Sequence, residues 1–444
     1  MESLLVANRG EIARRIIRTA KRLGIRTIAV HSDVDAGLPF VLEADEAVDI
    51  GPAAPAQSYR NAEAILAAAK QTGARAIHPG YGFLSENAAF ARQVQEAGLI
   101  WVGPSAEAIT AMGDKINARN LMAAAGVPVA PGTTDPAGSV ERALAEAERI
   151  GFPVMIKAAA GGGGMGMAPA HYAAGFTAEY EKVRGFAERM FGDGSVLIEK
   201  YFPSVRHIEV QILGLADGTV VALGERECSV QRRNQKLVEE SPSPASMLTP
   251  ARRTALHAAA VRAGEAVAYR NAGTVECLLD PATGDFFFLE MNTRLQVEHP
   301  VTEAVFGIDL VEAQLRIAAG LPVDVPRTPV GHAIELRINA EDPKRFLPGP
   351  GTVTTWVEPA GLDGVRVDSG YAAGTTVTPH YDSLMAKLIA YGTTRAEAIA
   401  RARAAVAAFQ IAGPKNNLPF FAELLENEEF LGGDYDTAIV SRLR

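Results

Sequence analysis

Short strand-like runs and an amphipathic stretch alternate along the first 110 residues, and this pattern restricts the fold more than any other feature. Residues 4–7 and 27–31 have the length and composition of buried strands. Between them, apolar side chains recur at the spacing of one helix face, at Ile12, Ile16, Ala20 and Leu23. A βαβ unit is therefore predicted, and because the alternation continues, we expect an α/β domain with a parallel sheet.

The turn after the first predicted strand shares one feature with dinucleotide-binding sites. Asp33 follows the second strand at about the distance expected for an acid that binds a ribose. The turn carries only Gly10, whereas a backbone that approaches a pyrophosphate uses three glycines. We therefore interpret Asp33 as a turn or capping residue, and an NAD-dependent dehydrogenase remains one alternative.

Length and composition limit the class of protein. With 444 residues the chain is about three times as long as a typical domain, and the simplest division is 1–112, 113–330 and 331–444. A net charge of −9 argues against a protein that binds a nucleic-acid backbone. Cys228 and Cys277 are too few for a disulfide framework. With no signal-peptide pattern and no long apolar run, we expect a cytoplasmic protein that contacts neither nucleic acid nor membrane.

A glycine-rich run follows a strand predicted at residues 152–160. Gly161, Gly163 and Gly166 match the pattern G-x-G-x-x-G. Pro169 and Gly175 come soon after, so we expect no helix there that could bind a pyrophosphate. A mobile flap over nucleotide phosphates fits the run better, and a purely structural turn is the alternative.

Two lysines near this run are candidates for binding phosphate. Lys157 lies at the end of the apolar strand, where a buried ammonium group needs an anionic partner. Lys115 follows a turn with the sequence M-G-D. A bound phosphate would supply the negative charge for either lysine, whereas a solvated surface position is the alternative.

The strongest local geometry is a hairpin predicted over residues 274–294. If the turn centres near Thr283, Glu276 lies directly opposite Glu290, and Asn292 lies on the same face two residues further on. Facing carboxylates repel each other unless a cation lies between them, and this set of oxygen ligands suits Mg²⁺. The alternative is that one carboxyl is protonated or that both point into solvent.

Residues 294–300 form a polar run directly after the hairpin. Glu298 is a candidate general base, and Arg294 is a candidate clamp for a small planar anion. A solvated charged face is the alternative. We interpret His207 and His299 as hydrogen-bonded side chains for which the pattern requires no catalytic role.

Long motifs distributed over essentially the whole chain resemble biotin carboxylase, the ATP-grasp component of biotin-dependent carboxylases. They are ANRGEIA at 7–13, HPGYGFLSEN at 78–87, KAAAGGGGMGM at 157–167, ERECSVQRRNQK at 225–236, EMNTRLQVEHPVTE at 290–303, ELRINAEDP at 335–343 and HYDSLMAKL at 380–388. The resemblance implies an α/β and α+β multidomain fold. It would comprise a Rossmann-like N-terminal domain, a central ATP-grasp domain with a mobile lid at approximately 130–202, and a C-terminal biotin carboxylase domain.

The resemblance also implies roles for individual residues. The residues implied to bind ATP are Lys115, Lys157, Gly163, Gly164, Gly166, Glu199, Lys200, His207, Gln231 and Leu278. Those implied to be catalytic are Glu298, Arg337, Arg294 and Lys236, and those implied to contact bicarbonate or biotin are Arg294, Gln296, Val297, Tyr81, Gly82 and Arg337. Glu276, Glu290 and Asn292 match the ligands of Mg²⁺ or Mn²⁺, in agreement with the hairpin argument.

The implied reaction is ATP-dependent carboxylation of biotin N1 by bicarbonate through carboxyphosphate, as the first half-reaction of an acetyl-CoA or short-chain acyl-CoA carboxylase. Glu298 would deprotonate bicarbonate, and Arg337 would stabilise the ureido oxygen of biotin. In residues 332–340, apolar side chains alternate with Glu335, Arg337 and Asn339, which places Arg337 on the polar face of a strand.

The implied partners follow from the biotin. The chain shows no Met-Lys-Met acceptor motif, and Met385-Ala386-Lys387 has the wrong spacing. We therefore expect biotin on a separate carrier protein or domain, a carboxyltransferase that uses it, and a homodimer.

The sequence departs from the family pattern at three positions. At position 234 the fatty-acid-synthesis type of biotin carboxylase usually has His. Asn234 is instead similar to the residue found in carboxylases that act on short-chain acyl-CoA. Met165 stands where the glycine run of the family often has a basic residue, and Pro169 lies in the strand expected after that run. We expect both differences to affect closure of the lid. The alternatives are another ATP-grasp ligase, of a carbamoyl-phosphate or purine-pathway type that transfers its activated group to an amine, and a non-catalytic nucleotide-binding subunit.

Overall fold

The computed structural model describes residues 1–159 and 166–444. The interpretation of Gly161, Gly163, Gly164 and Met165 as a flap lies outside these residues. Within the described ranges, no helix combines the length and the apolar character that crossing a membrane requires.

The N-terminal region is the predicted α/β unit. Its elements are β1 (Ser3–Val6), α1 (Gly10–Arg22), β2 (Arg26–His31), α2 (Pro39–Glu43), β3 (Glu46–Asp49), α3 (Ala62–Thr72), β4 (Ala76–His78), α4 (Ala88–Glu96), β5 (Ile100–Trp101) and α5 (Ala106–Gly113). All five strands are parallel, in the order β3-β2-β1-β4-β5. Asn61 and Asn87 cap α3 and α4 by accepting backbone N–H groups. Asp33 begins a single 3-10 turn, in agreement with its interpretation as a turn residue.

A small three-stranded sheet follows and has a hydrophobic core of its own. The elements of this part of the chain are α6 (Lys115–Ala124), α7 (Val140–Ile150), β6 (Val154–Ala158), β7 (Met167–Ala170), α8 (Ala173–Phe191) and β8 (Val196–Lys200). The strand order is β7-β6-β8, so Pro169 lies in an edge strand, where a missing N–H is tolerated. The expectation that no helix follows the glycine run is wrong, because α8 begins at Ala173 and contains Gly175. Since β7 precedes it, the run does not lead directly into a helix N-terminus.

The remaining chain builds an eight-stranded antiparallel sheet in the order β13-β12-β9-β10-β11-β14-β19-β17. Its strands are β9 (Arg206–Gly214), β10 (Val220–Arg232), β11 (Gln235–Ser241), β12 (Asn271–Leu279), β13 (Phe286–Asn292), β14 (His332–Asn339), β17 (Val365–Ser369) and β19 (Leu384–Gly392). The other elements are α9 (Pro250–Glu265), α10 (His299–Phe306), α11 (Leu310–Ala318), β15 (Gly351–Thr352), β16 (Thr355–Val357), β18 (Thr376–Val377), α12 (Arg395–Ala408), β20 (Gln410–Ala412), α13 (Leu418–Leu424), α14 (Glu428–Gly432) and α15 (Ile439–Arg442). The β10–β11 pair and α10 were not predicted, because charged residues interrupt their apolar patterns.

The division of the chain at residues 112 and 330 stays a prediction. The eight-stranded sheet crosses the second boundary, since β11 pairs with β14. The largest hydrophobic core also joins distant segments, because it includes Ile12 and Ile16 of α1 together with Leu336 of β14 and Phe420 of α13. The first and last parts of the chain are therefore packed as one body around the large sheet.

Candidate active site

A cavity of about 1270 Å³ lies where the N-terminal region, the small sheet and the large sheet meet. Most of the predicted site residues line it. They are Tyr81, Gly82, Lys115, Lys157, Glu199, Lys200, His207, Gln231, Lys236, Glu276, Leu278, Glu290, Asn292, Arg294, Gln296, Val297 and Arg337. Two described ones do not: Gly166 packs against Ala158 and Phe186, and the Glu298 side chain is fully buried beside the cavity.

The hairpin of β12 and β13 has the predicted register. Glu276 is directly opposite Glu290, and Thr274 is opposite Asn292. The Asn292 side-chain amide donates to Glu276 Oε1 at 2.8 Å. Burial and the neighbouring charge of Glu276 raise the pKa of Glu290. Two facing carboxyl groups with an amide beside them match the oxygen ligands that a divalent cation prefers, so these residues fit Mg²⁺ or Mn²⁺.

The ammonium group of Lys236 is the centre of a buried ion cluster. Its Nζ atom lies 2.6 Å from Glu209, 2.9 Å from Glu276 and 2.7 Å from Glu298. Burial alone would lower the pKa of Lys236, but the three carboxylates raise it well above its ordinary value. Arg226 donates to the other oxygen of Glu209 at 2.5 Å. Glu209 is therefore a site residue that the sequence did not reveal, because its partners come from other strands.

Glu298 precedes α10 and is held by two cations. Its Oε1 atom accepts from Lys236 at 2.7 Å, and its Oε2 atom accepts from Arg337 at 2.9 Å. Burial would raise the pKa of Glu298, but Lys236 and Arg337 hold it well below its ordinary value. The carboxylate is thus ionised at neutral pH, and this is the state in which it can accept a proton.

Arg337 points to the same cluster from β14. Its guanidinium donates to Glu239 at 2.6 Å as well as to Glu298. The predicted alternation along this strand is present, but most of its side chains are buried on both faces, where helices such as α10 and α12 pack against β14, and Glu335 is fully buried. Burial raises the pKa of Glu239 to about 7, although Arg337 acts in the opposite direction.

Arg294 provides donors at the cavity wall. Its guanidinium donates to Glu86 at 2.9 Å, to Gln296 Oε1 at 2.9 Å and to Asn292 Oδ1 at 3.0 Å. Gln296 in turn donates to Glu276 Oε1 at 3.1 Å. The planar guanidinium group of Arg294 is therefore oriented by three acceptors, which suits recognition of a small planar anion. Glu86, in the loop before α4, is a second residue that the sequence did not assign to the site.

The predicted nucleotide side of the cavity is formed by the small sheet and the start of β9. The anionic partner expected for Lys157 is Glu199 of the protein itself, because the two side chains form an ion pair across β6 and β8. Lys200 donates to the carbonyl of Gly151 at 2.8 Å. His207 Nε2 lies 2.8 Å from Glu276 Oε2, so it is tied to the carboxylate pair. An apolar part of the wall is formed by Met155, Leu197, Leu278, Phe288 and Leu289.

At two places in the site region, the backbone conformation explains which residue type is present. Gly166 has φ +69°, and a Cβ atom there would lie 3.0 Å from Ala158 Cβ, so glycine is required by the packing. Arg233 and Asn234 connect β10 and β11 with φ +50° and +65°. Two positive φ angles define a tight hairpin turn that favours Asn, and Asn234 therefore suits the backbone at this position.

Comparison with known proteins decides the family. The family model described as biotin carboxylase, N-terminal domain, matches residues 1–109, and that described as biotin carboxylase C-terminal domain matches residues 335–442. Between them, residues 114–325 match the model described as carbamoyl-phosphate synthase L chain, ATP binding domain. The biotin carboxylase of Haemophilus influenzae is 49% identical over 98% of this chain and 96% of its own length. The chain belongs to the biotin carboxylase family.

A solved structure and a second relative agree with this assignment. The crystal structure of a biotin carboxylase from Campylobacter jejuni superposes with a TM-score of 0.95 at 44% identity, over 99% of this chain and 98% of that one. A pyruvate carboxylase subunit from Methanothermobacter thermautotrophicus is 46% identical over 99% of this chain and 90% of its own length. Members of this family are ATP-dependent ligases, so the interpretation as an NAD-dependent dehydrogenase is excluded.

Relatives of this chain are components of carboxylases that have different final substrates. The alpha subunit of methylcrotonoyl-CoA carboxylase from Arabidopsis thaliana is 47% identical over 99% of this chain, which spans 60% of that relative. Similarity to the pyruvate carboxylase and methylcrotonoyl-CoA carboxylase components is therefore nearly equal to the similarity to biotin carboxylases. The family assignment defines the shared half-reaction and leaves the final acceptor to other components.

Proposed function

We propose that the chain carboxylates N1 of biotin that a carrier protein or domain presents, with ATP and bicarbonate as co-substrates and carboxyphosphate as the intermediate. The observation that carries this proposal is the position of the segment 294–298. In this segment Arg294, the proposed anion clamp, and Glu298, an ionised carboxylate, lie in one cluster with Arg337 and with the facing carboxylates of the hairpin. Membership of the biotin carboxylase family supports the same reaction.

Nucleotide binding is assigned to the cavity wall near the small sheet. Lys115, Lys157 and His207 would contact phosphate oxygens, together with the backbone of Gly163, Gly164 and Gly166. Glu199, Lys200, Gln231 and Leu278 would frame the adenine and the reaction site. For the residues other than these glycines, the assignment is supported by the cavity lining. The Campylobacter jejuni structure, which is described as an ATP complex, supports nucleotide binding in general.

Glu276, Glu290 and Asn292 would hold Mg²⁺ or Mn²⁺. The bound cation would neutralise the charge of the ATP phosphates. The facing register of the two glutamates and the raised pKa of Glu290 support this set, since two charged carboxyl groups at this distance need a cation or a proton. Lys236 and His207 hold Glu276 ionised and ready to act as a ligand.

Bicarbonate would bind to Arg294, Gln296 and the backbone N–H of Val297. Glu298 would take the bicarbonate proton, and the deprotonated oxygen would attack the γ-phosphorus of ATP as the bond to ADP breaks. Lys236, next to Glu298, would stabilise the charge that develops on the transferred group. The products of this step are carboxyphosphate and ADP.

Biotin would enter beside Tyr81 and Gly82. Carboxyphosphate would break down to CO₂ and phosphate, the phosphate would take the N1 proton of biotin, and N1 would attack CO₂. Arg337 would stabilise the negative charge on the ureido oxygen. Its guanidinium group donates hydrogen bonds to both Glu239 and Glu298, so its orientation is fixed before the substrate binds.

Partners and location are proposed on the same basis. Lys387 is fully buried in β19, which argues against biotin on the Met385-Ala386-Lys387 segment and supports its presentation by a carrier protein or domain. We propose a carboxyltransferase that uses the carboxybiotin, with an acetyl-CoA or short-chain acyl-CoA acceptor on the basis of Asn234. A homodimer is supported by the 2-oxoglutarate carboxylase domain of Hydrogenobacter thermophilus, 43% identical with a TM-score of 0.93, which is described as a dimer with MgADP, ADP and bicarbonate. A reducing compartment, the cytoplasm, suits the buried thiols of Cys228 and Cys277.

Release of ADP by purified protein with Mg²⁺ and ATP tests this function. We expect release that needs bicarbonate and increases with free biotin or a biotinylated carrier. Loss of a positioned general base typically costs about 10²–10⁴-fold, and Glu298→Gln should lose that much without loss of ATP binding. Stimulation by ammonia instead of biotin would favour the amine-transferring ligases and would overturn the proposal. Absence of any bicarbonate-dependent release with both forms of biotin would do the same.

A further inference from the structure

Three cations from three neighbouring strands hold the segment that joins Val297 and Glu298. Strands β11, β14 and β19 are adjacent in the large sheet. Lys236 of β11 and Arg337 of β14 donate to the two oxygens of Glu298, at 2.7 Å and 2.9 Å. Lys387 of β19 donates to the Val297 carbonyl oxygen at 2.8 Å. The first two cations belong to the proposed catalytic machinery, whereas the third has so far no function in the reaction.

The ammonium group of Lys387 is buried and has few polar contacts. Its side chain is 0% exposed, and a buried ammonium is costly unless anionic or carbonyl oxygens surround it. The Glu11 carboxylate of α1 lies 3.3 Å from its Nζ atom. The strand neighbours directly opposite are Arg337 and Asp368, and Asp368 is bound by Arg366 at 2.6 Å. The Val297 carbonyl and Glu11 are therefore the contacts that direct Lys387.

Glu11 extends this contact to the proposed biotin side of the cavity. The hydroxyl of Tyr81 donates to Glu11 Oε1, whereas Lys387 faces Glu11 Oε2. A continuous path of polar contacts thus runs from Tyr81 through Glu11 and Lys387 to the carbonyl of Val297. Lys387 does not line the cavity, so it acts through this path and not on a substrate.

We propose that Lys387, paired with Glu11, is a positioning residue for bicarbonate in this reaction. The Val297 carbonyl and the Glu298 N–H share one rigid peptide plane. By holding the carbonyl, Lys387 fixes this plane, which includes the Cα atom of Glu298, the proposed base. The same contact restricts rotation about Val297, whose N–H is a proposed bicarbonate donor. This inference rests on the proposed function, because it assigns a role to residues that support the same site.

The test compares Lys387→Met with wild type in the biotin-dependent release of ADP. A hydrogen bond from a charged group contributes about 1.5–3 kcal/mol, which corresponds to roughly 10–100-fold in a binding constant. We expect the KM for bicarbonate to rise by about that factor, whereas the KM for ATP should stay within about twofold of wild type. Lys415→Met is the matched control, since Lys415 forms an exposed ion pair with Asp342, and its constants should equal those of wild type.

A second variant separates positioning from folding. Lys387→Met leaves the Glu11 carboxylate buried without its cation, so the variant can lose stability for that reason alone. The double variant Lys387→Met with Glu11→Gln removes both charges and keeps similar volumes. We expect it to fold, as read by thermal unfolding with and without ATP, and to keep the raised KM for bicarbonate.

The outcomes have different meanings. If wild type shows no release of ADP that depends on bicarbonate and biotin, the proposed function fails and this inference fails with it. If wild type is active but both variants keep the wild-type KM for bicarbonate, only the inference is overturned. Recovery of that KM in the double variant, or a double variant that does not fold, would show that Lys387 serves the fold and not the positioning of bicarbonate.

Discussion

The five-stranded parallel sheet and the eight-stranded antiparallel sheet bury different kinds of side chain. In the centre of the parallel sheet, β1 and β2 contribute Leu5, Val6, Ile28 and Val30, which are all 0% exposed. In the centre of the large sheet, β10 and β11 bury charged residues to nearly the same degree, namely Glu225, Arg226, Glu227, Glu239 and Glu240. The first sheet is therefore stabilised by apolar burial, and the second contains a network of ion pairs.

This difference shows how the molecule separates stability from chemistry. Apolar burial is non-directional, so it stabilises the parallel sheet without requiring particular polar atoms at set distances. Buried ion pairs are sensitive to geometry, because a carboxylate without its partner is costly inside a protein. The large sheet thus holds Lys236, Arg337 and Glu298 at defined distances before any substrate binds, which is what electrostatic catalysis requires.

Removal of the central cation should have the largest effect. Lys236→Met leaves Glu209, Glu276 and Glu298 without their shared ammonium group. We expect loss of more than about 10³-fold in kcat for ADP release, and destabilisation by about 3–5 kcal/mol in urea unfolding. Lys415→Met is the surface control. Retention of activity within about tenfold of wild type would show that the ion cluster is not the source of catalysis.

A cavity in the parallel sheet should reduce stability without changing the site. Leu5→Ala in β1 removes a fully buried side chain, so we expect a cost of about 2–5 kcal/mol in the free energy of unfolding. The KM values for ATP and bicarbonate should stay within about twofold of wild type, since Leu5 does not line the cavity. Leu42→Ala, at a side chain that is 72% exposed, is the matched control. A changed KM for bicarbonate would mean that the two sheets are coupled.

Per pH unit, the ionisation of Glu335 should give the smallest of these effects on stability. Burial raises the pKa of Glu335 well above its ordinary value, although Lys387 acts against this, and neither carboxyl oxygen has a hydrogen-bond partner within the described part of the chain. The unfolded chain loses this proton near its ordinary pKa, whereas the folded protein keeps it. The contribution of Glu335 to the free energy of unfolding should therefore fall as pH rises above about 4.3, by up to about 1.4 kcal/mol per pH unit.

In the variant Glu335→Gln the substituted side chain is uncharged at every pH. This variant should therefore lack the pH dependence of stability that Glu335 contributes. We expect its Tm to match wild type near pH 4 and to exceed it increasingly as pH rises above that value. Glu96→Gln, at an exposed glutamate at the end of α4, should follow the wild-type curve. If the curves of Glu335→Gln and wild type stay parallel over this range, Glu335 is ionised in the folded protein and the large sheet holds one more charge than we infer.

Particular elements show what the sequence could predict. The parallel sheet was predicted correctly because its apolar residues follow the periods of strand and helix, and burial produces those periods directly. The pairing of Glu276 with Glu290 was also correct, although a register shift between Glu276 and Cys277, which the turn alone does not predict, contributes to it. By contrast, β10, β11 and α10 were missed, because buried Glu and Arg side chains interrupt the apolar pattern that reveals an element.

The sequence by itself determined the family, the α/β unit of the N-terminal region and the identity of most groups that line the cavity, because local periodicity and long motifs depend only on neighbours in the chain. Only the tertiary structure decided how these groups are paired. Lys236 meets Glu209 and Glu298, and Lys387 meets Glu11, across separations of 27 to 376 positions along the chain. Such pairs form because burial forces each charge to find a partner in space, and no local pattern records which partner that is.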